Sequence, residues 1–132
     1  MNILIAEDNK VIQTLNKALM RSWGFDFDMA SNGQEAVNLA QDNEGKYDVC
    51  LMDIEMPKMN GLEATRIIRN TVKYLPIIAL TSNDEYKSEC YEAGMDDFAQ
   101  KPCPNNNLLA RIKALSVKTY KLITKPSGLD IT

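Results

Sequence analysis

The side chains with chemistry to offer in this sequence are few, and most are acidic. Glu7 and Asp8 follow the apolar run Ile3-Leu4-Ile5-Ala6, and Asp53 follows Val49-Cys50-Leu51-Met52. Thr81 closes the run Ile77 to Leu80, and Lys101 closes Asp97 to Gln100. Three carboxylates held close repel one another and raise each other's pKa unless a hard cation neutralises them, and an all-oxygen site of that kind suits magnesium. A divalent ion there makes sense of phosphate chemistry, since it can hold one phosphoryl oxygen while Lys101 and Thr81 take the others. The chain contains no histidine. Histidine-based triads, histidine-ligated metals and histidine general bases are thereby excluded from it. Cys50, Cys90 and Cys103 are odd in number and lack any CxxC spacing, which fits reduced thiols better than disulfides or a zinc site.

For these residues to meet, the elements carrying them must converge. Ile3–Ala6 is a short continuous apolar run, which reads as a strand, and the alternation of strand, loop and helix repeats along the chain. Ile3–Ala6 leads to a stripe at Val11, Leu15, Ala18 and Leu19, and a strand over Phe25–Ala30 leads to a helix over Gln34–Gln41. A strand over Tyr47–Met52 leads to a helix after Gly61 carrying Ala64, Ile67 and Ile68. Ile77–Leu80 precedes a helix over Glu85–Ala93, and Asp97–Gln100 precedes a last helix over Asn106–Ser116. Five strand–helix units predict an α/β fold of three layers, a doubly wound parallel sheet with helices on both faces. In such sheets the functional crevice lies beyond the carboxyl ends of the strands, where all five polar residues fall. The 132 residues fit one domain, read here as 1–118 with a C-terminal tail or linker over 119–132, where Lys125-Pro126-Ser127-Gly128 breaks the pattern. A formal charge of −3 without clustered Lys or Arg argues against a direct nucleic-acid surface. No apolar run is long enough to span a membrane, and Met1–Ala6 runs into acidic residues rather than a signal-peptide pattern, so a cytoplasmic protein is expected.

From about Asn2 to Val117 the sequence resembles the receiver domains of two-component response regulators. The likeness rests on the acidic pair Glu7-Asp8, on Asp53 within MDIEMPKMNG, on Thr81, and on Lys101-Pro102. It implies a flavodoxin-like fold with strand order 2-1-3-4-5 and five helices. It also implies that Asp53 is a phosphoacceptor, taking a phosphoryl group from the phosphohistidine of a sensor histidine kinase or a histidine phosphotransfer protein. Mg2+ or Mn2+ would be bound by the Asp8 and Asp53 carboxylates and the Glu55 backbone carbonyl, with Glu7 acting mostly through water. Thr81 and Phe98 would form the switch, Phe98 turning inward on phosphorylation, and Glu55 and Asn83 would tune rates at the entrance. The readout face would be the fourth helix, fifth strand and fifth helix, able to form a homodimer, and the Lys101-Pro102 bond is expected to be cis.

Each residue alone has a plainer reading: Glu7-Asp8 as a helix N-terminal region, Thr81 as a cap, Lys101 as a solvated loop charge, Phe98 and Tyr91 as core or groove aromatics. Their joint placement at the ends of the right strands argues against coincidence. A flavodoxin-like electron carrier needs a glycine- and hydroxyl-rich phosphate loop where Glu7-Asp8-Asn9 stands, and those carboxylates would repel an FMN phosphate. An aspartyl phosphohydrolase would share the magnesium and an Asp53-Ile54-Glu55 motif, but no cap insertion is visible. A degenerate receiver acting only by binding would not need the full acidic set. The chain reads as a stand-alone regulator, a phosphorelay intermediate or a piece of a larger chain such as a hybrid kinase, and MDIEMPKMNGLEATRIIR leans towards the last.

Overall fold

The computed structural model describes residues 1–101 and 106–124, with side chains described over 1–101 and 107–116. Pro102 and Cys103, and with them the expected cis bond, lie outside the described residues, as does the segment 125–132.

Five strands, β1 (Asn2–Ala6), β2 (Asp26–Ala30), β3 (Val49–Asp53), β4 (Ile77–Thr81) and β5 (Asp97–Gln100), form one parallel sheet in the order β2-β1-β3-β4-β5. Between and after them run α1 (Lys10–Trp23), α2 (Gly33–Asp42), α3 (Gly61–Thr71), α4 (Lys87–Ala93) and α5 (Asn106–Thr124). The pleat of the strands divides the core into two layers. Leu4, Cys50, Met52, Ile77, Ala79 and Phe98 meet residues of α2, α3 and α4, including Ala36, Ala64, Ile68 and Cys90. Ile3, Ile5, Val49, Leu51, Ile78 and Leu80 meet Met20 of α1 and Leu108 and Ile112 of α5. This is the doubly wound sandwich expected of continuous apolar strands. Among the described residues no helix is long and apolar enough to cross a membrane.

Several boundaries differ from the expectation. β3 and β4 extend one residue past their apolar runs, so Asp53 and Thr81 are the last residues of strands rather than the first of loops. The fourth helix is preceded by a 3-10 turn over Asp84–Tyr86, and α5 continues beyond Ser116 to Thr124.

A further difference concerns which side of α1 is buried. Val11 and Leu15 are exposed, at 71% and 50%, and Ala18 is exposed as well. The buried side carries Gln13, Asn16 and Met20. Gln13 is accommodated because its amide donates to the Glu7 carbonyl at 2.5 Å and to Ser31 Oγ at 3.3 Å.

Asparagines cap α1, α2 and α3: Asn9, Asn32 and Asn60 each accept a hydrogen bond from the backbone N–H three residues on. The Gly33 amide donates to Met59 O at 2.9 Å and the Gly61 amide to Ile54 O at 2.8 Å, which ties the loop after Asp53 to the starts of α2 and α3.

Candidate functional site

The carboxylates of Glu7, Asp8 and Asp53 supply oxygens that all lie within 4.8 Å of one another. β1 and β3 are neighbours in the sheet and end level, Ala6 pairing with Met52, so both acidic ends emerge side by side. Glu7 and Asp53 are buried and Asp8 is exposed, which leaves the cluster open on one side.

Lys101 enters this cluster from β5. Its Nζ lies 2.6 Å from Glu7 Oε1 and 3.3 Å from Asp53 Oδ1. Its backbone N–H donates to Thr81 O at 2.8 Å, fixing the residue just past the strand. Asp53 Oδ1 also accepts from the Ile54 N–H at 2.8 Å, and Glu7 Oε2 from the Asn9 N–H at 3.0 Å.

Burial and the neighbouring Glu7 charge push the Asp53 carboxyl up to about 7, against the opposing pull of Lys101 and the Ile54 amide. Burial would lower the Lys101 ammonium, but the hydrogen bond to Glu7 and the charge of Asp53 outweigh it and raise the group. One ammonium thus stands against three carboxylates. The donor set is all oxygen, carries surplus negative charge and is open to solvent at Asp8, which fits a hard divalent cation such as Mg2+.

Thr81 is buried beside this group, and its Oγ1 accepts from the Asn83 N–H at 3.2 Å. Asn83 folds onto Glu85 instead of extending into the cluster: its Oδ1 accepts from the Glu85 N–H at 2.9 Å and its Nδ2 donates to Glu85 Oε1 at 3.0 Å. The exposed Glu55 carboxylate accepts from the Tyr86 hydroxyl at 3.0 Å. Phe98, expected to turn inward only on phosphorylation, is already inside, 8% exposed within the α2–α3–α4 layer. A phenyl ring has no hydroxyl to hold it outward, so apolar burial decides its place. Tyr91, by contrast, is exposed on α4.

Three contributors escaped the sequence reading. Gln13 and Asn9 pin Glu7, and Tyr86 holds Glu55. The Asn9 cap had a signal, an asparagine opening a helical stretch. The contact between Tyr86 and Glu55 spans 31 residues and left none. The thiols of Cys50 and Cys90 are free and buried, and burial pushes them up to about 12 and about 11.

The model of the response regulator receiver domain matches residues 3–113. Hybrid signal transduction histidine kinase B of Dictyostelium discoideum is 38% identical over 125 residues, a match covering 83% of this chain but only 6% of that protein. The crystal structure of the receiver domain of sensor histidine kinase PA1611 from Pseudomonas aeruginosa PAO1, with a magnesium ion coordinated in its active-site cleft, is similar with a TM-score of 0.80 and 36% identity. That match covers 88% of this chain and 97% of the other. The receiver domain of Saccharomyces cerevisiae Ssk1, solved with the histidine phosphotransfer protein Ypd1, gives a TM-score of 0.81 at 26% identity, covering 90% of each chain. With its acidic pocket of Glu7, Asp8 and Asp53 at the carboxyl edge of a 2-1-3-4-5 sheet, the chain belongs to the response regulator receiver family.

Proposed function

We propose that this receiver is the phosphoacceptor of a two-component phosphorelay, taking a phosphoryl group onto Asp53 from a phosphohistidine carried by a sensor histidine kinase or histidine phosphotransfer protein. The observation that carries the reading is the meeting of three carboxylates within 4.8 Å, with the Lys101 ammonium at 2.6 Å from one and 3.3 Å from another. Asp53 Oδ1 holds both the Ile54 amide and the Lys101 contact, so Oδ2 is assigned as the nucleophile. As its bond to phosphorus forms, the P–N bond breaks and the electron pair leaves on the imidazole of the donor, which takes up a proton. Lys101 moves from carboxylate to phosphoryl oxygen, and the Thr81 hydroxyl, already an acceptor from Asn83, has its proton to give to another.

The Asp8 and Asp53 carboxylates and the Glu55 backbone carbonyl would hold Mg2+ or Mn2+, with Glu7 acting mostly through water. The ion, when bound, neutralises charge on the carboxylates and the incoming phosphoryl group. Hydrolysis of the acyl phosphate by water then resets the protein.

Two features support the choice of partner. The exposed apolar stripe of Val11, Leu15 and Ala18 adjoins the loop of Glu7 and Asp8, and offers a phosphohistidine-bearing protein a seat beside Asp53. The Ypd1–Ssk1 complex pairs a related receiver with a protein of that class. The output face assigned to α4, β5 and α5 carries exposed Tyr91 and the Asp97–Arg111 ion pair, and is the face through which a target or a second copy would read the state.

Incubation with acetyl phosphate and magnesium is expected to add one base-labile phosphoryl group at Asp53, read by mass spectrometry of the intact chain and its peptides. Asp53→Asn and chelation of the metal should each abolish it. Full labelling of Asp53→Asn sinks the assignment.

A further inference from the structure

Two short segments face each other across the mouth of the acidic pocket: Ile54 to Asn60 after β3, and Ser82 to Tyr86 after β4. The second segment is tied down twice. Its inner tie is the Asn83 N–H donated to Thr81 Oγ1 at 3.2 Å, and its outer tie is the Tyr86 hydroxyl donated to Glu55 Oε2 at 3.0 Å. Tyr86 is half-buried, its ring packed against the α2–α3–α4 layer, so the hydroxyl is presented from a fixed base. Glu55 is exposed, and its carboxylate raises the pKa of the Tyr86 phenol chiefly through this hydrogen bond. Because Tyr86 ends the 3-10 turn and stands at the N-terminal boundary of α4, a bond made there fixes where α4 begins relative to the loop that follows Asp53.

We propose that Tyr86 is a positioning residue: its hydroxyl latches Glu55 across the mouth of the pocket, setting both the place of the Glu55 charge beside Asp53 and the resting position of the segment leading into α4. The second consequence stands independently, while the first rests on the phosphoacceptor reading above. A Thr81 hydroxyl drawn toward a phosphoryl oxygen can keep accepting from Asn83 and so pulls the segment from inside. The latch restrains it from outside. The rate of entry of an anionic donor and the movement of α4 therefore share one hydrogen bond.

The experiment is amide hydrogen exchange across residues 84–87 in protein never exposed to a phosphodonor, followed by acetyl phosphate labelling. Tyr86→Phe keeps the ring and is expected to speed exchange roughly threefold, as loss of one modest hydrogen bond would. Glu55→Ala should do the same, the double variant no more than either, and Glu55→Gln, whose carbonyl still accepts, should stay at the wild-type rate. In labelling, Tyr86→Phe frees an uncompensated carboxylate at the mouth and slows uptake roughly threefold, an effect that disappears in the Glu55→Ala background. Wild-type exchange in Tyr86→Phe, or additive effects in the double variant, overturns the latch. A chain that fails to label at Asp53 would overturn the phosphoacceptor reading, and the exchange data would still decide the latch.

Discussion

Asp53 is a carboxyl group that its own fold makes reluctant to ionise. Burial and Glu7 raise it from 3.8 to about 7, while Lys101 divides its charge between two acids. The sign of the linkage follows: the folded chain binds a proton at Asp53 over a range where the unfolded chain has released it. The stability contributed by the protonated group is full below about 3.8 and is lost as pH rises through about 7. In chelator, the melting temperature of Asp53→Asn relative to wild type is therefore expected to climb between these pH values and level off above them. Magnesium should narrow the gap at neutral pH by favouring the ionised wild type. Parallel melting curves across that range, read by calorimetry, would show that Asp53 is not strained in this sense.

At the scale of the element, the start of α3 is pressed against β3. A Cβ on Gly61 would lie 2.0 Å from the Asp53 carbonyl oxygen and 2.9 Å from Met52 Cγ, and the first of these is backbone that cannot rotate away. Gly61→Ala is expected to cost about 3 kcal/mol, the scale of overpacking in a dense core, and to disturb Asp53 with it. Urea unfolding measures the cost, and a loss below about 0.5 kcal/mol, the level of a neutral surface change, would refute the tight contact. β1, β3 and β4 were legible because a strand buried on both faces reads as an unbroken apolar run. The faces of α1 were not legible by the same rule. Val11, Leu15 and Ala18 repeat at helical spacing yet face solvent, while Gln13 and Asn16 are inside, one of them because the Glu7 carbonyl needs a donor. Periodicity records hydrophobicity and is blind to an amide such as that of Gln13, buried for its hydrogen bonds. The carboxylates, Thr81 and Lys101 could be placed because each stands at or just past the carboxyl end of a strand, whereas Tyr86 and Glu55 follow different strands and meet only in the fold.

Across the whole molecule, the two ends of the sheet have different tasks. At the amino ends of β4 and β5, Arg69 donates to Gly94 O at 2.8 Å, Leu75 O at 2.6 Å and Asp96 Oδ2 at 2.8 Å, and Asp96 also takes the Ile77 N–H at 2.8 Å. That clamp ties the C-terminal end of α4 to the starts of β4 and β5, at the edge of the sheet opposite Thr81 and Asn83. Thr81→Ala is expected to accept phosphate on Asp53 but to transmit it poorly, because the pull on the segment before α4 is gone. Amide spectra with and without beryllofluoride compare the two proteins, and equal shifts over residues 85–116 in both would show that Thr81 does not carry the signal. With Phe98 already in the core, the shifts there should be those of a ring adjusting among neighbours and not of one entering from solvent.

The asparagine caps described above have a bearing on how the molecule ages. Asn32-Gly33 and Asn60-Gly61 are the dipeptides most open to deamidation, in which the glycine nitrogen attacks the asparagine side-chain carbonyl to close a succinimide ring. In the folded chain both carbonyls are occupied by the N–H groups of Glu35 and Glu63, and both glycine nitrogens donate elsewhere, to Met59 O and Ile54 O. The ring cannot close without first opening the start of a helix. Chemical decay at these two sites is thereby coupled to opening of the loop that follows Asp53, and damaged copies accumulate in proportion to the time the chain spends open.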